Sequence, residues 1–187
     1  MKDLIKIKGK ALLSFCEIKT DEARELEKRV KEASEKGNHA GYMKLKEELY
    51  KKFGTRKVVL ENIVTTAGRT VLARLLIGDV TFSGEINYCA LGTDATASTV
   101  GDTTLGVEVF RKQISSGSYS TSNAYISTFF TATETTGTYN EIGHFIDGAA
   151  GVNTGQLFSR IADPETVELP ITKSATESLT IDYSIQL

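Results

Sequence analysis

Apolar and polar positions alternate in two different ways along this chain. Over residues 4–18 the period is two: Leu4, Ile5 and Ile7 lead into Ala11, Leu12, Leu13, Phe15, Cys16 and Ile18, the pattern of a half-buried strand. Gly9 marks a bend or bulge within it. At Thr20 the period changes. Ala23, Leu26, Val30 and Ala33 recur at helical spacing, with Thr20 as an N-cap and Asp21 and Glu22 in the first turn, where the helix dipole favours acids. Glu25–Arg29, Glu27–Lys31 and Glu32–Lys36 are i,i+4 pairs in the favourable order. Gly37 supplies a left-handed residue and Asn38 caps a second helix, striped by Tyr42, Leu45, Leu49 and Phe53 and stopped by Gly54. The prediction is an antiparallel helical hairpin with a narrow apolar seam. Such a seam buries little area, so the hairpin needs a surface to dock on: its own β domain or a neighbouring copy. Leu26, Val30, Tyr42, Leu45, Leu49 and Phe53 are the candidate assembly interface.

From Arg56 onward Thr, Ser and Gly dominate and the period returns to two. Residues 57–64 read as a strand. A short helix follows, opened by Thr66 and closed by Gly78, with Val71, Leu72, Leu75 and Leu76 as a broad apolar face that should plug the end or face of a sheet. Further strands are predicted over 86–91, 107–114, 119–133, 139–146, 155–161, 166–172 and 178–187. That makes about nine strands at the spacing of an all-β domain. In the last of them Leu179, Ile181, Tyr183, Ile185 and Leu187 point one way, which ties it into a sheet. The expected fold class is mainly β: an antiparallel, jelly-roll-like β-sandwich with one short core helix and an inserted α-helical hairpin. The β domain spans 1–19 and 55–187, and the hairpin 20–54.

Charge divides along the same line. Residues 1–57 carry 16 Lys/Arg against 10 Asp/Glu, a net of +6, and residues 58–187 carry 6 against 14, a net of −8. A basic part and an acidic part on one small protein favour head-to-tail contacts between copies, or a basic surface facing an acidic partner. In the basic part the cations are interleaved with acids at i,i+4, which cancels the field a phosphate backbone needs, so no nucleic acid is expected. The chain contains no apolar run of 18 residues, so no membrane is expected. The start of the chain lacks the continuous apolar stretch of a signal peptide, and synthesis in a host cytoplasm is expected. Cys16 and Cys89 sit in apolar runs and read as reduced core residues.

Candidate chemistry is sparse. His39 follows a helix cap on the charged hairpin and reads as solvated. Glu141, His144 and Asp147 lie three residues apart, a spacing that converges on a helix. This stretch reads as a strand, where 141 and 144 face opposite ways. Glu134 and Asp147 are a carboxylate pair only in the sense that any acidic protein supplies one. No metal, cofactor or catalytic residue is expected.

The most distinctive stretch runs from Leu91-Gly92-Thr93 through Gly101-Asp102-Thr103-Thr104-Leu105-Gly106 to Glu108 and Arg111. It reads as a small-residue surface loop anchored by Leu105, with Thr93, Asp94, Thr96, Ser98, Thr99 and Asp102 as its exposed polar residues. Together with Glu61-Asn62-Ile63-Val64-Thr65-Thr66-Ala67-Gly68-Arg69, Glu141-Ile142-Gly143 and the closing strand Ser178 to Ile185, it resembles a group of phage and prophage structural proteins found among tail, baseplate and fibre components. The resemblance covers residues 57–187 and departs at the hairpin. It implies a non-enzymatic β-sandwich that assembles in many copies, as a trimer or ring, with other virion proteins. The expected location is the virion and the expected role tail-associated: a fibre, baseplate or tail-tip adaptor. The alternatives are a capsid decoration (cement) protein and a receptor- or glycan-binding module in which loops 93–104 and 131–138 and nearby tyrosines meet a host surface glycan.

Overall fold

A computed structural model describes residues 7–164 and 167–187. The predicted start of the first strand at Leu4 and Ile5, and that of a later strand at Thr166, lie outside the described residues. In chain order the elements are β1 (Lys8–Glu17), α1 (Asp21–Glu35), α2 (His39–Phe53), β2 (Gly54–Glu61), β3 (Ile63–Val64), α3 (Thr66–Leu76), β4 (Ile86–Gly92), β5 (Glu108–Gln113), β6 (Ser116–Ser120), β7 (Asn123–Phe130), β8 (Gly137–Tyr139), β9 (Glu141–Ile146), β10 (Gln156–Ile161), β11 (Ile171–Lys173) and β12 (Glu177–Gln186). The described residues are mainly β, with three helices.

The strands form two five-stranded antiparallel sheets and one small pair. The first sheet has the order β2-β1-β12-β7-β6, the second β3-β10-β9-β4-β5, and β8 pairs with β11. The chain steps between the large sheets at both sides: through Asn62 between β2 and β3, and through Ile114 and Ser115 between β5 and β6. One apolar cluster draws on both sheets. It takes Ala11, Leu13 and Phe15 from β1 and Leu179, Ile181, Tyr183 and Ile185 from β12. It also takes Cys89 and Leu91 from β4 and Ile142 and Ile146 from β9. These are alternate residues of each strand, as the period-two pattern requires.

Local chemistry sets the helix ends. The Thr20 hydroxyl accepts from the Ala23 N–H, and the Asn38 side chain from the Gly41 N–H. Gly37 takes φ +64°, the left-handed value that ends α1. The third helix opens at Thr66, as expected, and Thr65 caps it, accepting from the Gly68 N–H at 3.0 Å. Gly68 lets α3 lie directly on β10, because a Cβ there would meet the Phe158 backbone.

Several expectations change. Residues 57–64 are two strands of different sheets, parted at Asn62, and 139–146 is divided between β8 and β9. The stretch 119–133 is not one strand. It holds the end of β6 and all of β7, turned at Thr121 with φ +54°. Gly9 is not a bulge: it pairs regularly with Ile185, and its missing Cβ leaves room for Asn62 and the Tyr183 hydroxyl. The face predicted for α3 is narrower, since Val71 is buried and Leu72 and Leu75 pack on the core but Leu76 is 88% exposed.

Candidate functional site

The loop after β4 is held down by charge. Arg160, on β10, donates from Nε to Glu141 Oε2 at 2.9 Å, from Nη1 to Asp102 Oδ2 at 2.9 Å and from Nη2 to Asp94 Oδ2 at 3.0 Å. Glu141, fully buried at the start of β9, also accepts from the Gly106 N–H at 3.0 Å and the Val107 N–H at 2.8 Å. Leu105 is buried with Ala90, Phe145 and Leu157 on the outer side of the second sheet. Asp94 lies below its ordinary carboxyl range, held there by the Thr96 N–H and hydroxyl and then by Arg160. Burial opposes ionisation of Asp102, but the Thr99 N–H and Arg160 outweigh it and hold its pKa down.

A second clasp lies beside the first. Arg111 meets Glu108 through two hydrogen bonds, 2.5 Å from Nε and 2.8 Å from Nη2, and both side chains are almost fully buried. The same guanidinium lies 4.5 Å over the Phe145 ring and donates to the Ala149 carbonyl at 2.8 Å. Of the predicted exposed loop residues, Thr93, Thr96 and Thr99 are exposed, whereas Asp94, Ser98 and Asp102 are half-buried. Asp94 and Asp102 face inward to Arg160, so the carboxylates of this loop serve its attachment.

His144 and Glu141 lie on opposite faces of β9. Glu141 meets the loop outside, and His144 lies inside, stacked on Tyr183 with ring centroids 4.1 Å apart. Its Nδ1 is 3.3 Å from the Ser159 hydroxyl, and Nε2 has no partner among the described residues. Burial pushes the imidazole down to about 3, so it is neutral at ordinary pH. Asp147 is elsewhere, bonded to Ser83. Among the described residues no group of three or more His, Cys, Asp or Glu could hold a metal ion. Cys16 and Cys89 are buried free thiols, in separate clusters.

The hairpin stripe lies in the interior. Leu26, Val30, Tyr42 and Leu49 are buried, and Leu45, Tyr50 and Phe53 pack against them. They share a cluster with Cys16, Ile18, Phe129 and Ala132 from the β domain. The six residues expected as an assembly interface therefore form the joint between the hairpin and its own first sheet, and are not a surface open to another copy. Apolar residues on the outer face of that sheet call for such a cover. Polar contacts fix the joint as well. The Tyr42 hydroxyl is 2.7 Å from the Ser127 hydroxyl, Lys46 donates to Asp182 at 2.6 Å, and Glu27 accepts from the Ala132 N–H at 2.6 Å. Glu27 thus turns to the β domain instead of pairing with Lys31.

Beside this joint α2 and the first sheet leave an open cleft of about 410 Å³, lined by Leu12, Met43, Tyr125 and Ile126 with Lys46, Asp182 and several serines. A second cleft of about 470 Å³ shares Leu12, Met43, Lys46 and Asp182 with it and continues toward Tyr50 and Lys57. The sequence pointed to neither the cleft nor Arg160, because both depend on which strands lie side by side. It equally gave no notice of Lys173, a fully buried lysine that donates to the Ala132 carbonyl at 3.1 Å and whose pKa burial lowers.

No protein family, no curated protein sequence and no solved structure matches the chain. No helix among the described residues is long and apolar enough to cross a membrane.

Proposed function

We propose that this protein is a structural component of a tailed-phage virion, tail-associated as a fibre, baseplate or tail-tip adaptor. In this reading its two sheets stack as a jelly-roll-like sandwich and it acts through multivalent protein–protein assembly. The single observation that carries the proposal is the use made of the charged residues in the phage-like segment. Asp94, Asp102, Glu108, Arg111 and Glu141, with Arg160, close on one another and on backbone N–H groups. Groups spent this way stiffen a loop against a sheet, which suits a scaffold that presents fixed surfaces to neighbours. The hairpin, clamped on the outer face of the first sheet, adds a further layer and a cleft with both apolar and charged walls.

The test is to purify particles produced by the phage or prophage that carries this coding sequence and to label them with a gold-conjugated antibody against the chain. Label on the tail supports the proposal. Label on the capsid shell favours the decoration role instead, and absence of the chain from washed particles overturns both.

A further inference from the structure

The end of α3 and the turn after it carry three large aliphatic side chains that stand exposed among the described residues. Leu76, Ile77 and Val80 are 88%, 82% and 80% exposed. Isolated exposed aliphatic residues are ordinary, but three on one short turn form a patch. This turn is also firmly built. Arg74 donates to Asp79 at 2.7 Å and to the Thr81 hydroxyl at 3.2 Å. Asp79 accepts from the Thr81 N–H at 3.0 Å and from its hydroxyl at 2.6 Å. Gly78 takes φ +77°, a value that aliphatic side chains avoid, so the reversal falls between the exposed residues. Apolar groups held out on a braced turn lose little conformational entropy when a partner covers them.

The same chain carries a receptacle of matching character. The cleft between α2 and the first sheet has Leu12, Met43 and Tyr125 in its lining and, at about 410 Å³, is sized for two or three branched aliphatic side chains. Charge agrees with the pairing. Asp79 within the tip is paired with Arg74, while the segment that follows it carries the exposed Glu85, whose carbonyl accepts from the N–H of the exposed Asp147. Lys44, Lys46 and Lys57 line the cleft and its continuation against Glu47 and Asp182, with Lys46 paired to Asp182, which leaves that wall one charge positive. Packing the tip against its own copy would instead set Glu85 and Asp147 of one chain against those of the other, which is unfavourable.

We propose that the Leu76, Ile77 and Val80 tip of one copy seats in the α2–sheet cleft of the next, giving a head-to-tail contact between identical chains. The inference rests on the assembly reading above and names its surface. Because tip and cleft are different patches, the contact is heterologous and a joined pair keeps one tip and one cleft free for further copies, so it builds rings or filaments.

The experiment measures the mass of the purified full chain across a wide range of concentration, by light scattering and mass photometry. Two single variants are compared with it, Ile77→Asp at the tip and Met43→Glu at the cleft, each checked for native circular dichroism and melting temperature. The wild type should form oligomers whose size grows with concentration. Each variant alone should be monomeric, with self-association weakened at least tenfold. An equimolar mixture should recover a dimer and stop there, since only one intact tip and one intact cleft can meet. A wild type that stays monomeric, a Met43→Glu variant that assembles normally, or a mixture that stays monomeric overturns the inference. If the chain is nevertheless found on particles, the assembly reading stands and only this surface falls. If it is absent from particles, that reading fails on its own test.

Discussion

Arg160 and Glu141 face each other across neighbouring strands, Nε to Oε2 at 2.9 Å, with side chains 4% and 0% exposed. Removing one partner of such a pair leaves a buried charge without compensation, at a cost of roughly 3–5 kcal/mol. Arg160→Met should therefore lower the urea midpoint sharply, and so should Glu141→Gln, because Gly106 bonds Oε2 and Val107 bonds Oε1, and the single amide oxygen can keep only one of them while the NH2 faces a donor. Arg160→Met/Glu141→Met should lose less than the sum of its single variants, as a double-mutant cycle in denaturant will measure. Stability losses that simply add would show that the pair is not coupled.

His144 gives the protein a stability slope in mild acid. Its folded pKa is depressed to about 3, while the unfolded value stays near 6.5. Below pH 6.5 the unfolded chain takes up a proton that the folded chain refuses. The contribution is thus complete above 6.5 and is lost as pH falls toward 3, at up to about 1.4 kcal/mol per pH unit. His144→Phe preserves a ring on Tyr183 and removes the titration. The difference in unfolding free energy between the two proteins, measured from pH 7 to pH 4, cancels the other groups. It should shift steadily in favour of the variant, and a difference independent of pH would contradict the assignment.

The hairpin is load shared with the β domain, so it cannot be removed cleanly. Replacing residues 20–53 by a short linker uncovers Cys16, Ile18, Phe129 and Ala132. The product should aggregate or lose its cooperative melting transition. A milder probe is Val30→Ala, which should cost on the order of 1–3 kcal/mol as a buried truncation. Tyr42→Phe leaves the Ser127 hydroxyl one partner short and should cost about 1–2 kcal/mol.

Leu105 is the apolar pin of the loop between β4 and β5. Leu105→Ala should destabilise the protein by about 2–5 kcal/mol if the site cannot collapse. The same change should speed amide exchange at Gly106 and Val107, whose N–H groups bond Glu141, more than in β12. Exchange that rises equally in both places would mean that the loop has no local opening of its own.

Much of this fold was legible in residue order alone. The two hairpin helices, with Thr20, Gly37 and Asn38 at their ends, follow from local hydrogen bonding, which the sequence displays directly. So does the last strand, whose alternate apolar residues enter the core. The turn at Thr121 was hidden because neither Gly nor Asn stands at the left-handed position, and a threonine is held there by the β6–β7 pairing. The charged clasp could not be read because Arg160 lies 66 residues from Asp94 and 58 from Asp102. Only the neighbouring placement of β10, β9 and β4 brings them together. The hairpin stripe shows a different limit. Periodicity marked Leu26, Val30, Tyr42 and Leu49 as apolar and facing one way, but not which molecule they face.

The place of β12 has a consequence for how the protein is made. It lies between β1 and β7, pairing Lys8 with Gln186 and Gln186 with Asn123. While the ribosome still holds residues 177–186, β1 can pair with β2 but has a bare edge where β12 belongs, and β7 has another. The first sheet closes only after that segment leaves the exit tunnel, so the hairpin waits on an unfinished surface until then. Contacts this distant in sequence form slowly, and a nascent chain stalled short of residue 177 would offer two long unpaired edges to chaperones or to other chains.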